Sequence, residues 1–200
     1  MRDHFLNLFK LVFALLLLPF TAIVTISFIK SLSGLTHTEG HLFWLGVLIY
    51  TIVHIFIYEP QGIYRFGQKL TASLLGFYPP LASVGSRILP IYTLLGLIIF
   101  YFLYLFHKKI GYEIYFMFLT GFTLTLHIVL TAKELRQEGK RPFSPNYIFC
   151  IQLIYIFIVF LISMMFSFIV PKFYFSSFFY SVIESIKDFY TAIFHQLFIP

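Results

Sequence analysis

The sequence predicts an all-α integral membrane protein with about five transmembrane helices, one re-entrant or interfacial helix and a C-terminal amphipathic helix, in a single polytopic domain over residues 1–200. Three observations carry this. Hydrophobic residues make up 60% of the chain and charged residues only 11%, against about 25% charged in soluble domains. So few charges cannot cover a water-facing surface, and the mean hydropathy is +0.89. Five apolar runs approach the roughly 20 residues that cross a hydrocarbon core as helix. None alternates apolar and polar residues as a strand would, and a backbone in lipid must satisfy its own hydrogen bonds.

The first run, Leu11 to Ile29, follows Arg2 and Lys10. It is longer than the apolar part of a signal peptide and continues past Ala22, where a cleavage site would fall, so it reads as a retained first span. Leu42 to Tyr58 is the second. Phe66 to Phe77, FGQKLTASLLGF, has helix-forming character but is too short and too polar to cross alone. Its twelve residues rise only about 18 Å against a core of about 30 Å, so it either enters and leaves on one face or lies at the interface. Gly67, Gly76 and Tyr78-Pro79-Pro80 suit such a turn back. Ile88 to Phe106, Tyr112 to Leu130 and Tyr147 to Val170 complete the five spans. In the tail, residues 173–200, an amphipathic helix is expected over Phe178 to Phe198. Phe179, Val182, Ile183, Ile186, Tyr190, Ile193, Phe194 and Leu197 share one side, with Ser181, Glu184, Asp188, Thr191 and His195 mainly on the other. An interfacial helix and a docking surface for another membrane subunit both fit it.

The net charge of +6 is not a nucleic-acid footprint, because the basic residues are dispersed. Arg87, Lys108, Lys109, Lys140 and Arg141 sit at span ends, where they snorkel and set orientation. With the amino terminus in the cytoplasm, Arg2, Lys10, Arg65, Lys69, Arg87, Lys133, Arg136, Lys140 and Arg141 are inside, nine of the 14 Lys and Arg. The other five, Lys30, Lys108, Lys109, Lys172 and Lys187, are outside. The positive-inside rule therefore selects that orientation. Cys150 is the single cysteine, which excludes an intrachain disulfide and a thiolate zinc cluster.

The segment Tyr58 to Leu74, YEPQGIYRFGQKLTASL, carries a recognisable frame. With Tyr64, Phe66, Gly67, Leu70, Thr71 and Leu74 in place, it resembles the site-2-protease-like intramembrane zinc metalloproteases, in particular a bacterial group whose motif runs approximately P-x-x-L-Y-V-F-G-H-E-L-T-H-A-L. Ile88-Leu-Pro-Ile-Tyr-Thr-Leu-Leu95 is similar to the family's P-x-Y-T-L-L opening of the next span. Gly121-Phe-Thr-Leu-Thr-Leu-His-Ile128, with Glu134 to Gly139 and Phe143-Ser144 after it, is similar to its G-x-T-L-x-F-H helix and following Q-x-D-L…G…F-S loop, although Ala132 and Glu134 stand at the glutamine and aspartate positions. The resemblance covers roughly residues 40–165 and implies a protease-like core in a bacterial inner membrane.

The chemistry of that motif is absent. Two histidines at i and i+4 on one helical face hold zinc, and the glutamate between them takes a proton from the metal-bound water. Here those positions are Gln68, Lys69 and Ala72. Glutamine is a poor ligand, alanine none, and lysine puts a positive charge beside the cation. No catalytic residue, metal or other cofactor is therefore expected. Gln68, Lys69, His127 and Glu134 become candidate residues of a cleft that binds rather than cuts.

His54 and His127 lie inside spans, where a neutral imidazole hydrogen-bonded to a neighbouring helix is expected. Glu113 is expected at the interface or paired with Lys108 or Lys109. His37-Thr-Glu-Gly-His41 has two histidines and a carboxylate within five residues, but Gly40 and its polar composition predict a loop and no metal site. The resulting expectation is a non-enzymatic, pseudoprotease-like subunit whose partners are the bilayer and another membrane protein. A small transporter or channel subunit and a purely structural subunit are the alternatives. The orientation is tested by cysteine accessibility on a background with Cys150 replaced. A cysteine introduced at Ser144 should label from the cytoplasmic side, and labelling only from outside would reverse the assignment.

Overall fold

A computed structural model of the chain describes residues 2–35, 37–56, 60–77, 85–107, 112–138, 144–170 and 172–198. Among the described residues seven helices run in order: α1 (Arg2–Ser33), α2 (His37–Phe56), α3 (Gln61–Leu74), α4 (Ile91–His107), α5 (Tyr112–Glu138), α6 (Pro145–Ile169) and α7 (Phe175–Phe198). A single helical turn occupies residues 85–88. The described residues contain no strand, and the chain is an all-α, multi-pass membrane protein.

Among the described residues, four helices are long and apolar enough to cross a membrane: α1, α2, α5 and α6. The third of the five expected spans is present as α4, a shorter apolar helix. Proline disfavours helical backbone in the residue before it, so α4 starts after Pro90 rather than at Ile88 and has 17 residues. That rises about 26 Å, the short end of the ~17–25 residues that cross a hydrocarbon core of about 30 Å. The segment His37 to His41, expected as a loop, is instead the first turn of α2. Apolar residues from Leu42 onward carry the helix, and Gly40 sits within 3.4 Å, at its would-be Cβ, of the Leu32 carbonyl oxygen of α1. A Cβ there would rest in van der Waals contact with α1.

Two helix pairs form the body, α2 with α5 and α1 with α6. Without a hydrophobic force between helices in lipid, small residues let backbones approach. A Cβ on Gly46 would lie 2.2 Å from the Phe118 carbonyl oxygen, and one on Gly121 would lie 2.1 Å from that of Phe43. The α2 and α5 backbones thus touch at both points. Phe166 of α6 joins the pairs: it is fully buried and stacks on Phe28 of α1 at 6.2 Å, with Phe43 of α2 and Phe116 of α5 edge-on at 5.9 and 6.4 Å. Thr25 and Tyr155 add a hydrogen bond between α1 and α6 at 2.9 Å.

The tail helix begins three residues before the expected Phe178. Its first half packs on α1 and α6, with Phe178 and Val182 buried and the Ser181 hydroxyl donating to Ser27 at 3.3 Å. Residues 189–196 are exposed. The expected partners of Glu113, Lys108 and Lys109, lie outside the described residues, as do Tyr78-Pro79-Pro80.

Replacing Gly121 by Ala should destabilise the protein by about 1–3 kcal/mol or more, because a backbone atom cannot move aside as a side chain can. Thermal unfolding in detergent micelles reads this as a lowered midpoint. An unchanged midpoint would mean that the α2 and α5 backbones are further apart.

Candidate functional site

Helix α3 is held in place by its polar residues. Pro60 starts it and the turn at residues 75–77 ends it, so it is separate from the flanking helices. Tyr64, Gly67 and Thr71, at i, i+3 and i+7, are its buried face. A Cβ on Gly67 would meet Ile91 and Tyr92 of α4 at 2.8 Å, and the Tyr92 hydroxyl donates to the Ile63 carbonyl oxygen. Glycine therefore lets α3 lie directly on the start of α4.

On the α5 side the contacts are hydrogen bonds. The Tyr64 hydroxyl lies 2.8 Å from Thr131 Oγ1 and donates to Glu134 Oε2 at 3.1 Å. Gln68 Nε2 donates to the same carboxylate oxygen at 2.6 Å. Burial pushes the Tyr64 phenol above its usual range, and the adjacent Glu134 charge raises it further. Tyr64 and Thr131 are 6% and 0% exposed, so their hydroxyl pair is shielded from water, while Gln68 and Glu134 are half-buried at the edge of a cleft; a hydrogen bond to a charged oxygen contributes about 1.5–3 kcal/mol. One step along α5, the Tyr64 ring lies 5.9 Å from the His127 ring. His127 Nε2 bonds the Arg87 carbonyl oxygen at 2.9 Å, tying the turn at residues 85–88 to α5. Thr93 and Thr123 pair at 2.9 Å between α4 and α5.

The structure thus brings Gln68 and Glu134 into direct contact and places His127 beside them, bonded to Arg87 rather than to Gln68. Lys69 is exposed and Ala72 half-buried. The expectation that a neighbouring segment holds His127 is met by the turn at 85–88, but His54 differs, since its Nδ1 is buried without a hydrogen-bond partner. Thr131 and Tyr92 were not singled out from the sequence. Thr120, Thr123, His127, Thr131 and Glu134 recur at intervals of three and four along an apolar span, and that polar stripe was the available signal.

The donor set does not fit zinc. Gln68 presents its amide nitrogen to Glu134, Ala72 offers no donor, and among the described residues no group of three or more His, Cys, Asp or Glu converges. The open cleft between α3 and α5, lined by Gln61, Arg65, Gln68, Lys133, Glu134 and Gln137, holds about 70 Å³. That is far below the ~300–1,000 Å³ of small-molecule sites. It admits water or the side chain of a larger partner. Beyond it, α5, α6 and the turn at 85–88 border a much larger groove of about 710 Å³. No family model, curated protein or solved structure matches the chain.

Two outcomes follow from the network. Glu134→Ala should cost about 2–4 kcal/mol of stability, since it strands the Gln68 amide and the Tyr64 hydroxyl together. Tyr64 has a folded pKa above its unfolded one, so its contribution is complete below about pH 10 and declines as pH rises beyond that. Tyr64→Phe should flatten the loss of stability between about pH 10 and 12, measured by urea unfolding in micelles. An identical alkaline profile in the variant would remove Tyr64 from the buried network.

Proposed function

We propose that the protein is a non-catalytic, pseudoprotease-like subunit of a bacterial inner-membrane complex, with its amino terminus in the cytoplasm, and that it binds a membrane partner or client across α3. The observation that carries this reading is the contact between Gln68 and Glu134 at 2.6 Å. The resembled motif has its first histidine at position 68 and an aspartate at position 134, so two motif positions 66 residues apart in sequence share one site. The other motif segments border it through Gly67, Tyr92 and His127. Where the resembled proteins hold a metal, this chain holds a closed hydrogen-bond network.

The surface left for a partner is the outer side of α3. Ile63, Phe66 and Leu74 are exposed apolar residues at helical spacing, and Arg65 and Lys69 are exposed among them. An amphipathic helix with cationic side chains suits a client segment at the membrane surface. A transport path would instead need unpaired polar faces across several spans, whereas Thr93 and Thr123, and Tyr64 and Thr131, pair with one another.

Purification in mild detergent tests this. A defined partner in constant ratio is expected, with zinc near background and no peptide-bond cleavage. Phe66→Ala should weaken partner retention by about tenfold, the effect of ~1.4 kcal/mol, while Lys69→Ala should change it only modestly. About one zinc per chain, lost on Glu134→Ala or His127→Ala, would overturn the reading, because it would mean a rebuilt metal site.

A further inference from the structure

A second, roomier recess lies away from the α3 network. It is a groove of about 710 Å³ bordered by the turn at residues 85–88, the end of α5 and the first turns of α6. Leu135, Leu153, Ile154, Phe157 and Phe160 make its walls apolar, and Arg87 stands among them as the charged residue. Leu153 and Phe157 remain 44% and 48% exposed, so the groove opens sideways, toward the space lipid occupies around α6.

The cation in this groove is positioned. His127 Nε2 bonds the Arg87 carbonyl oxygen at 2.9 Å, and the Leu89 N–H donates to the Gly85 carbonyl oxygen at 2.9 Å, which closes the turn that carries Arg87. An apolar channel open to the bilayer, with fixed positive charge at one end, complements a molecule with a hydrocarbon chain and an anionic head.

We propose that this groove is a binding site for an anionic phospholipid, whose phosphate is held by Arg87 and one of whose acyl chains lies along Leu135, Leu153, Ile154 and Phe157. Basic pockets beside membrane helices recognise such headgroups on the cytoplasmic side, and the volume lies within the ~300–1,000 Å³ of ligand sites. A guanidinium matches phosphate through paired N–H donors, so headgroup charge rather than chain length sets the preference. The site stands independently of the pseudoprotease reading, because none of its walls belongs to α3.

Native mass spectrometry of the purified protein in micelles, titrated with phosphatidylglycerol or phosphatidylcholine of identical chains, tests this. The parent should retain phosphatidylglycerol about tenfold better, equivalent to ~1.4 kcal/mol. Arg87→Gln should abolish the difference, and Arg87→Lys should keep most of it, which separates lost charge from misfolding. Leu153→Trp, filling the groove, should reduce retention of both lipids. Glycerol phosphate, which has the anion without the chains, should not displace phosphatidylglycerol at equal concentration. Equal retention of the two lipids by the parent, or an undiminished preference in Arg87→Gln, would overturn the proposal. Complete displacement by glycerol phosphate would reassign the site to a free phosphate ligand. Exclusion of both lipids by a tightly held protein partner would show that a helix, not a lipid, fills the groove.

Discussion

A polar group inside hydrocarbon has no water to turn to, and that constraint shapes nearly every polar contact in this protein. It accounts for the helices, whose backbones satisfy themselves. It also accounts for the hydroxyls. Thr21, Thr25, Ser31, Thr51, Thr123, Thr125 and Ser163 each donate to the carbonyl four residues earlier. Such back-bonding spends a donor locally and leaves the hydroxyl oxygen able to accept. Where a hydroxyl on another helix donates to such an oxygen, as Tyr155 to Thr25 and Thr93 to Thr123, the same constraint becomes a link between elements. Apolar packing then needs only shape, which the Gly46 and Gly121 crossing and the phenylalanines around Phe166 supply.

Helix α3 is the exception, because it is too polar to be held by apolar packing and too short to cross. It is fixed instead by a few directed contacts, with Glu134 as shared acceptor for Tyr64 and Gln68 and Gly67 as the point of closest approach to α4. A half-buried carboxylate given two donors is stable, while the same carboxylate with its donors removed carries a poorly compensated charge. The network therefore acts as a lock between α3 and α5. His127 extends it to the turn bearing Arg87, so the polar stripe of α5 organises both the α3 site and the mouth of the lipid-facing groove.

Much of the fold was legible in the sequence because hydrophobic length is a strong signal. The four long spans follow from composition alone, whereas the start of α6 at Pro145, two residues before the expected Tyr147, is set by Ser144, which accepts from Tyr147 N–H at 3.3 Å. The failures have local causes. Pro90 shortens α4, and the polar turn at His37 is drawn into α2 by the apolar residues that follow it. At the site, Gln68 and Glu134 were legible through their motif positions, but their mutual hydrogen bond was not, since sequence spacing within each helix says nothing about rotation between helices. His54 was expected to find a partner and has none at Nδ1. The stacking of its ring on Tyr50 at 6.0 Å could not be read from separation alone.

On the proposed reading, the α3 and α5 network stands where the resembled proteins hold a metal, on a backbone frame that could still form the site. Restoring the motif tests it most directly, by combining Gln68→His, Lys69→Glu and Ala72→His in the otherwise unchanged chain and measuring zinc per chain in the purified protein. Residues 68 and 72 are one helical turn apart on α3, and Glu134 lies in contact with position 68, so two imidazoles and a carboxylate would converge on one cation. About one zinc per chain, falling to background when Glu134→Ala is added, is the predicted result. A triple variant that keeps its helical circular dichroism but binds no more zinc than the parent would contradict the claim.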